Sequence, residues 1–367
     1  MYAKNNKISD RQAMRLITFD ILGYSALLVP AALAGSAGRD GIFSIGIGVA
    51  AGLLYLRLLK NGTQEMKGNY SQHLTETCGA TIGMILKAGY LLYFLLLAGR
   101  VACVFAELVA SELLERQFQL ILLIILALVY YGVSGGIEGR ARVYEILFWI
   151  VLLPLVIMMA FACPAVSTDY WTPVFESGLV AVLKGGYQTF LCISVLCVIP
   201  FLAEHVKEKG KLYHCGKWAM LLTGSILAVL YLILLGMFGR NALATLDYPV
   251  VTMMSRIQIT GGFLKRTDAL MFGVWFFTLY ALLSSLTFCG GKLWSFEKKG
   301  ARWWLFGETL LIYLLAVCFH QSSAMKTYFM QYFCYIGTPF VVGVPAILWM
   351  LRKTENPKGG SDNEGTD

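Results

Sequence analysis

The chain has 367 residues, 57% hydrophobic and only 14% charged, with a formal net charge of +8 and a mean hydropathy of +0.66. Soluble domains carry about 25% charged residues, so a soluble fold is excluded and an all-α membrane protein is predicted. In such a chain the positive balance bears on orientation rather than on nucleic acid.

A polar segment, residues 1–11, comes first, and the apolar run Leu16–Leu33 after it leads into further membrane segments, so no cleavable signal is expected. A helix crosses the hydrocarbon core in roughly 20 residues. Apolar runs then predict ten spans, at 12–36, 41–59, 84–110, 118–135, 143–163, 186–204, 217–239, 268–291, 303–320 and 329–351. Together they make one membrane domain, 12–351, and the polar tail 352–367 is predicted to be disordered and cytoplasmic. With the N-terminus inside, only Arg39, Arg116, Lys184, Arg240, Arg256, Lys265, Arg266 and Lys326 of the 30 Lys and Arg fall outside. Arg100 lies within a span. This positive-inside bias predicts cytoplasmic termini.

The first span carries Gly23, Tyr24 and Ser25, then Pro30, Gly35 and Gly38. Proline removes a backbone donor and clashes with the carbonyl four residues earlier. One reading is a break around Gly23, whose freed amides and helix ends would hold a small zwitterion or an ion. The other is a plain proline kink with small residues for packing. In the third span Arg100 and Glu107 stand seven apart, on one helix face. A charge at that depth costs roughly 2.5–3.5 kcal/mol on the insertion scale, so both should face the bundle interior. An internal ion pair and a functional role both remain open.

The sixth span carries Gly185, Gly186, Gln188, Thr189, Ser194 and Pro200. If the chain is two five-helix halves, about 12–163 and 186–351, this helix corresponds to the first, and paired interruptions point to a midplane site. The outer loop 240–267 contains Val250–Ile259, apolar but too short to span, which reads as a helix lying on the outer face or plugging a vestibule. The eighth span offers the aromatic stripe Trp275, Phe276 and Tyr280, as pocket lining or ordinary packing. Glu308 lies mid-span in the ninth helix, whereas Glu204-His205 reads as a solvated helix end, His320 as interfacial, and Glu145 as a weak signal only. The nine Cys are scattered, without a C-x-x-C pair, and are read as small hydrophobes with no disulfide or metal role. There is no phosphate loop, H-E-x-x-H or G-x-S-x-G motif, so neither an enzyme nor a cofactor is expected.

Several short motifs occur in a specific order. Lys7-Ile8-Ser9-Asp10-Arg11-Gln12 precedes Gly23 and Pro30, then Ala37-Gly38-Arg39-Asp40-Gly41. Gly136-Ile137-Glu138-Gly139-Arg140 and Glu145 follow the fourth span. Tyr248-Pro249, Arg256 and Gly262-Phe263-Leu264-Lys265-Arg266-Thr267-Asp268 precede Trp275. From about residue 7 to 352 the series resembles the B subunits of spore germinant receptors, the GerAB-type spore germination permeases.

That resemblance implies the amino acid–polyamine–organocation (APC) fold, a 5+5 inverted repeat with broken helices 1 and 6. It implies the inner membrane of a bacterial endospore, a small germinant such as an amino acid, and A-type and lipoprotein C-type partner subunits. Ligand in that fold lies between helices 1 and 6, with 3 and 8 contributing. The expected ligand-binding residues carried over are therefore Gly23, Tyr24, Ser25, Thr189, Phe190, Phe276 and Tyr280. Arg100 departs from that pattern and joins them as a ligand-binding candidate that, facing the pocket, would pair with a germinant carboxylate or with Glu107. The other reading is an ion-coupled amino-acid transporter, with Glu107 and Glu308 as coupling candidates.

Overall fold

The computed structural model describes residues 7–63, 66, 68–112, 117–206, 208–256, 267–294 and 298–355. In chain order the helices are α1 (Asp10–Ser36), α2 (Gly41–Gly62), α3 (Tyr70–Cys78), α4 (Ala80–Glu112), α5 (Phe118–Ser134), α6 (Ile137–Ala162) and α7 (Gly178–Ile193). There follow α8 (Ile199–Leu202), α9 (Lys209–Thr245), α10 (Pro249–Arg256), α11 (Thr267–Lys292), α12 (Lys298–Gln321), α13 (Ser323–Tyr332) and α14 (Thr338–Glu355). Nine helical segments among the described residues are long and apolar enough to cross a membrane. The 17-residue α5 falls just short of that length and fills the fourth position.

Ser9 starts α1 as an N-cap: its hydroxyl accepts from the Gln12 amide, and the Gln12 side chain accepts from the Ser9 amide. This capping box satisfies two amides that the first turn would leave orphaned. The helix then runs unbroken through Gly23 and Pro30 to Ser36. The break predicted around Gly23 does not occur. Ser25 donates its hydroxyl to the carbonyls of Ile21 and Leu22, at 2.6 and 3.2 Å, within the helix. Gly23 instead lets α11 approach: a Cβ there would stand 2.6 Å from Thr278 Oγ1. The chain turns only beyond Ala37, where Gly38 adopts φ +54°.

The sixth span is interrupted, as predicted, but further along. α7 ends at Ile193, residues Ser194–Val198 form a 3-10 segment, and α8 adds one turn. The tenth span is relaxed by a π-helical segment at Phe333–Gly337 between α13 and α14. α9 kinks at Gly239, with φ 69° and ψ 167°. The helix predicted in the 240–267 loop is α10, packed on α1, α9 and α11. Residues 257–266, which carry most of the Gly262–Asp268 motif, and the tail beyond 355 lie outside the described residues.

α1 is the central helix, touching α6, α7, α9 and α11. α2 lays a face of small residues against its neighbours. Gly48 meets Thr189 of α7, and Gly52 meets Met220 of α9 and Ile193 of α7. Such spacing lets helix backbones approach where lipid gives no hydrophobic drive. Across the bundle, the pairs α1·α9 and α7·α2 correspond when each span is exchanged for the one five places on, and so do α4·α12 and α11·α5. Trp149, Ile150 and Leu153 of α6 and Leu310, Leu311 and Leu314 of α12 are exposed, a surface suited to lipid.

Candidate functional site

Arg100 and Glu107 both turn inward from α4, with side chains 16% and 18% exposed. They barely reach each other: Arg100 Nη1 stands 4.0 Å from Glu107 Oε2. That buried nitrogen has no hydrogen-bond partner among the described residues. Tyr24 of α1, Cys103, Tyr248 and Glu107 are the ionisable groups acting on the guanidinium. Glu107 is satisfied elsewhere. Lys326 Nζ donates to Oε1 at 2.9 Å, His320 Nδ1 lies 3.2 Å from the same oxygen, and Cys103 Sγ stands 3.4 Å from it. The Tyr248 hydroxyl donates to Oε2 at 3.3 Å. Burial, then Glu107 itself, raise the Tyr248 phenol above its usual range, so it stays a donor. With Lys326 as the close counter-ion of Glu107, Arg100 is left mostly buried, and Glu107 at 4.0 Å is its one ion-pair partner among the described residues. A buried charge in that condition is costly and is suited to a carboxylate delivered from outside.

A second cluster escaped the sequence reading. Asp20 on α1 and Arg140 on α6 are 1% and 3% exposed. Ser285 of α11 bridges them: its hydroxyl donates to Asp20 Oδ1 at 2.8 Å and accepts from Arg140 Nη2 at 2.6 Å. Asp20 Oδ2, Arg140 Nε and Nη1, and the Tyr144 hydroxyl are buried without a hydrogen bond among the described residues. Arg140 lies 5.3 Å from the centre of the Phe288 ring. Arg140 lies within the helix, because α6 begins at Ile137, before the apolar run does. The missed signal was Asp20 itself, a lone carboxylate within an apolar span, which by default marks a site.

The remaining predicted residues are occupied by packing. Thr189 is fully buried, donates to the Gly185 carbonyl at 3.1 Å and lies on Gly48. Phe190 meets Tyr55 edge-on at 5.9 Å, and Phe276 meets Phe105 at 5.0 Å. Tyr280 turns to α5, donating to the Leu128 carbonyl at 3.2 Å, so the aromatic stripe splits. Glu308 is 3% exposed, abuts Gly290 of α11, and its Oε2 has no hydrogen bond among the described residues. Glu145 accepts from Gln12 Nε2 at 2.8 Å and pairs with Arg15 Nη1 at 3.4 Å. Glu204 takes Lys292 Nζ at 2.8 Å. Tyr280→Phe therefore removes one helix-to-helix hydrogen bond, costing about 0.5–1.5 kcal/mol. It is expected to leave any ligand preference unchanged in a binding titration.

Two solved structures share this architecture, each with a TM-score of 0.66. A Na+-coupled sialic acid symporter in a substrate-bound outward-open state is 13% identical, covering 93% of this chain and 79% of its own. MhsT in complex with L-phenylalanine is 10% identical, covering 93% and 88%. The molecule is thus an all-α integral membrane protein with the fold of the APC-type transporters. Its family is equally plain: the profile of Spore_permease, "Spore germination protein", matches residues 7–327, and the chain belongs to that family. Among relatives from Bacillus subtilis (strain 168), Spore germination protein B2 is 22% identical over 362 residues, 96% of each chain. Spore germination protein KB is 24% identical over 372 residues, 96% of this chain and 98% of its own. These are germination proteins and transporters, not enzymes.

Proposed function

We propose that this chain is the nutrient-sensing membrane subunit of a spore germinant receptor, and that it binds the carboxylate of a small germinant, such as an amino acid, at Arg100. The observation that carries the reading is the buried Arg100 Nη1 without a hydrogen-bond partner among the described residues, 4.0 Å from an already satisfied Glu107. Tyr24 of α1 is the neighbour that acts most strongly on the guanidinium. Gly23 and Ser25 shape α1 without donating to ligand. That a neighbour of the same fold is solved with L-phenylalanine supports an amino acid as occupant. The corresponding packing pairs support two five-helix halves, 12–163 and 186–351. The loop charges support cytoplasmic termini, and membership of the germination family supports a place in the inner membrane of the spore, beside A-type and lipoprotein C-type subunits.

Ligand can shift such a bundle only by binding one state better than the other. A germinant pairing with Arg100 does so if its carboxylate completes the site in the closed state alone. Spores whose only copy carries Arg100→Gln should need at least roughly tenfold more of the cognate nutrient to lose optical density, since a charged hydrogen bond is worth about 1.5–3 kcal/mol. Protein levels should be unchanged. An unaltered nutrient response contradicts the assignment.

The buried Asp20–Ser285–Arg140 cluster favours a second reading, ion-coupled amino-acid transport. Uptake of labelled amino acid into proteoliposomes, driven by an H+ or Na+ gradient, decides for it. Uptake independent of any gradient decides against it.

A further inference from the structure

We infer that Cys103, Glu107 and His320 form a binding site for a borderline-soft divalent cation of the Zn2+ class. The sequence reading gave the cysteines no such role, because the three residues share no motif. The fold assembles them. Cys103 and Glu107 stand four apart on α4, on one face of the helix. His320 comes from the last turn of α12, which packs along α4. Their ligand atoms all lie within 4.8 Å of one another.

The separations suit a tetrahedral ion. Cys103 Sγ stands 3.4 Å and His320 Nδ1 3.2 Å from Glu107 Oε1. Bonds of Zn–S and Zn–N length at tetrahedral angles place ligands about 3.3–3.6 Å apart. The donor set, one thiolate, one imidazole and one carboxylate, is a zinc-type set that leaves a fourth position open. The outer shell is also built. Tyr248 holds Glu107 Oε2, and the Phe118 ring stacks on His320 at 3.8 Å with an interplanar angle of 7°, fixing the imidazole. Such support commonly accompanies metal ligands.

Lys326 competes for the same oxygen, Glu107 Oε1, at 2.9 Å, and its side chain is 35% exposed. Ammonium and metal are therefore alternative counter-ions of Glu107. Binding forms the metal–sulfur bond, releases the Cys103 thiol proton to solvent, and frees Lys326 of α13 to swing outward. Arg100, on the far side of the carboxylate, stays where it is. The site stands independently of the germinant reading, because it does not use Arg100 as a ligand.

The test is a titration of the full-length purified chain with Co2+, then Zn2+. The wild-type protein should take one Co2+ with a thiolate-to-cobalt charge-transfer band, quenched by Zn2+. Cys103→Ser should abolish the band, whereas Cys318→Ser, an exposed cysteine outside the group, should not. His320→Gln should weaken binding at least roughly tenfold, and Lys326→Met should tighten it by a similar factor. Absorption fine structure of Zn2+ on the wild-type chain should show one sulfur scatterer, a measurement that needs no variant to fold. No cobalt band in the wild type, a band that survives Cys103→Ser, no sulfur scatterer, or unchanged affinity in Lys326→Met each overturns the site as described.

Discussion

Arg140→Met is expected to destabilise the bundle by up to about 3–5 kcal/mol, the cost of leaving one of two compensating buried charges alone, here charges joined through Ser285 rather than in direct contact. Asp20 would then face Ser285 without the guanidinium behind it. The double change Asp20→Asn with Arg140→Met should recover most of that loss. The carboxamide oxygen introduced in place of the Asp20 carboxylate still accepts from Ser285, and no buried charge remains. Pairs of this kind are often replaced by neutral groups at little cost, and a double-mutant cycle isolates the coupling. Thermal unfolding of the purified chain reads both. A double variant no more stable than Arg140→Met alone would show that the charges do not stabilise each other.

The second large effect is at Gly23. Read as part of an unwound ligand site, Gly23 predicts that a bulky replacement abolishes the nutrient response at normal protein levels. The structure changes this expectation. A Cβ at Gly23 meets Thr278 Oγ1 at 2.6 Å, Thr278 Cβ at 2.7 Å and the Thr278 carbonyl carbon at 3.0 Å. The last is backbone, which does not rotate away. Overpacking a tight interface costs typically about 1–3 kcal/mol or more, and Gly23→Leu adds a whole side chain between α1 and α11. Its abundance in spores should fall sharply, with the nutrient response falling in step. Pairing Gly23→Ala with Thr278→Gly, which empties the opposing space, should restore abundance. Normal levels of Gly23→Leu would contradict the close approach.

The fold was largely legible because apolar runs and loop charges report a bilayer directly. Span ends were less so. α6 and α9 begin at Ile137 and Lys209, before their apolar runs, since polar first turns carry no hydropathy signal. The break was misplaced for a related reason. Gly and Pro mark where a helix is allowed to yield, but Thr278 packed into the Gly23 notch leaves α1 no room to do so there. The sixth span yields at Ser194–Val198, where the Ser194 hydroxyl bonds back to the Leu191 carbonyl.

The site was legible in part. Arg100 and Glu107 announced themselves as charges in an apolar span. Their partners Lys326, His320 and Tyr248 come from segments more than a hundred residues away, and no spacing rule links them. Thr189 and Tyr280 hydrogen-bond to the Gly185 and Leu128 carbonyls, because helix position fixes depth but not facing. Asp20 was overlooked as one letter in a hydrophobic run, although its burial beside Arg140 makes it one of the most constrained groups in the bundle.

The central claim is that Arg100 receives a carboxylate. It is tested most directly by equilibrium binding of labelled amino acids to the purified chain in lipid nanodiscs, each acid beside its carboxamide analogue. At least one amino acid should bind, its amide should bind at least roughly tenfold more weakly, and Arg100→Gln should erase that difference. An amide that binds as well as the acid, or a preference for the acid that survives Arg100→Gln, would contradict it.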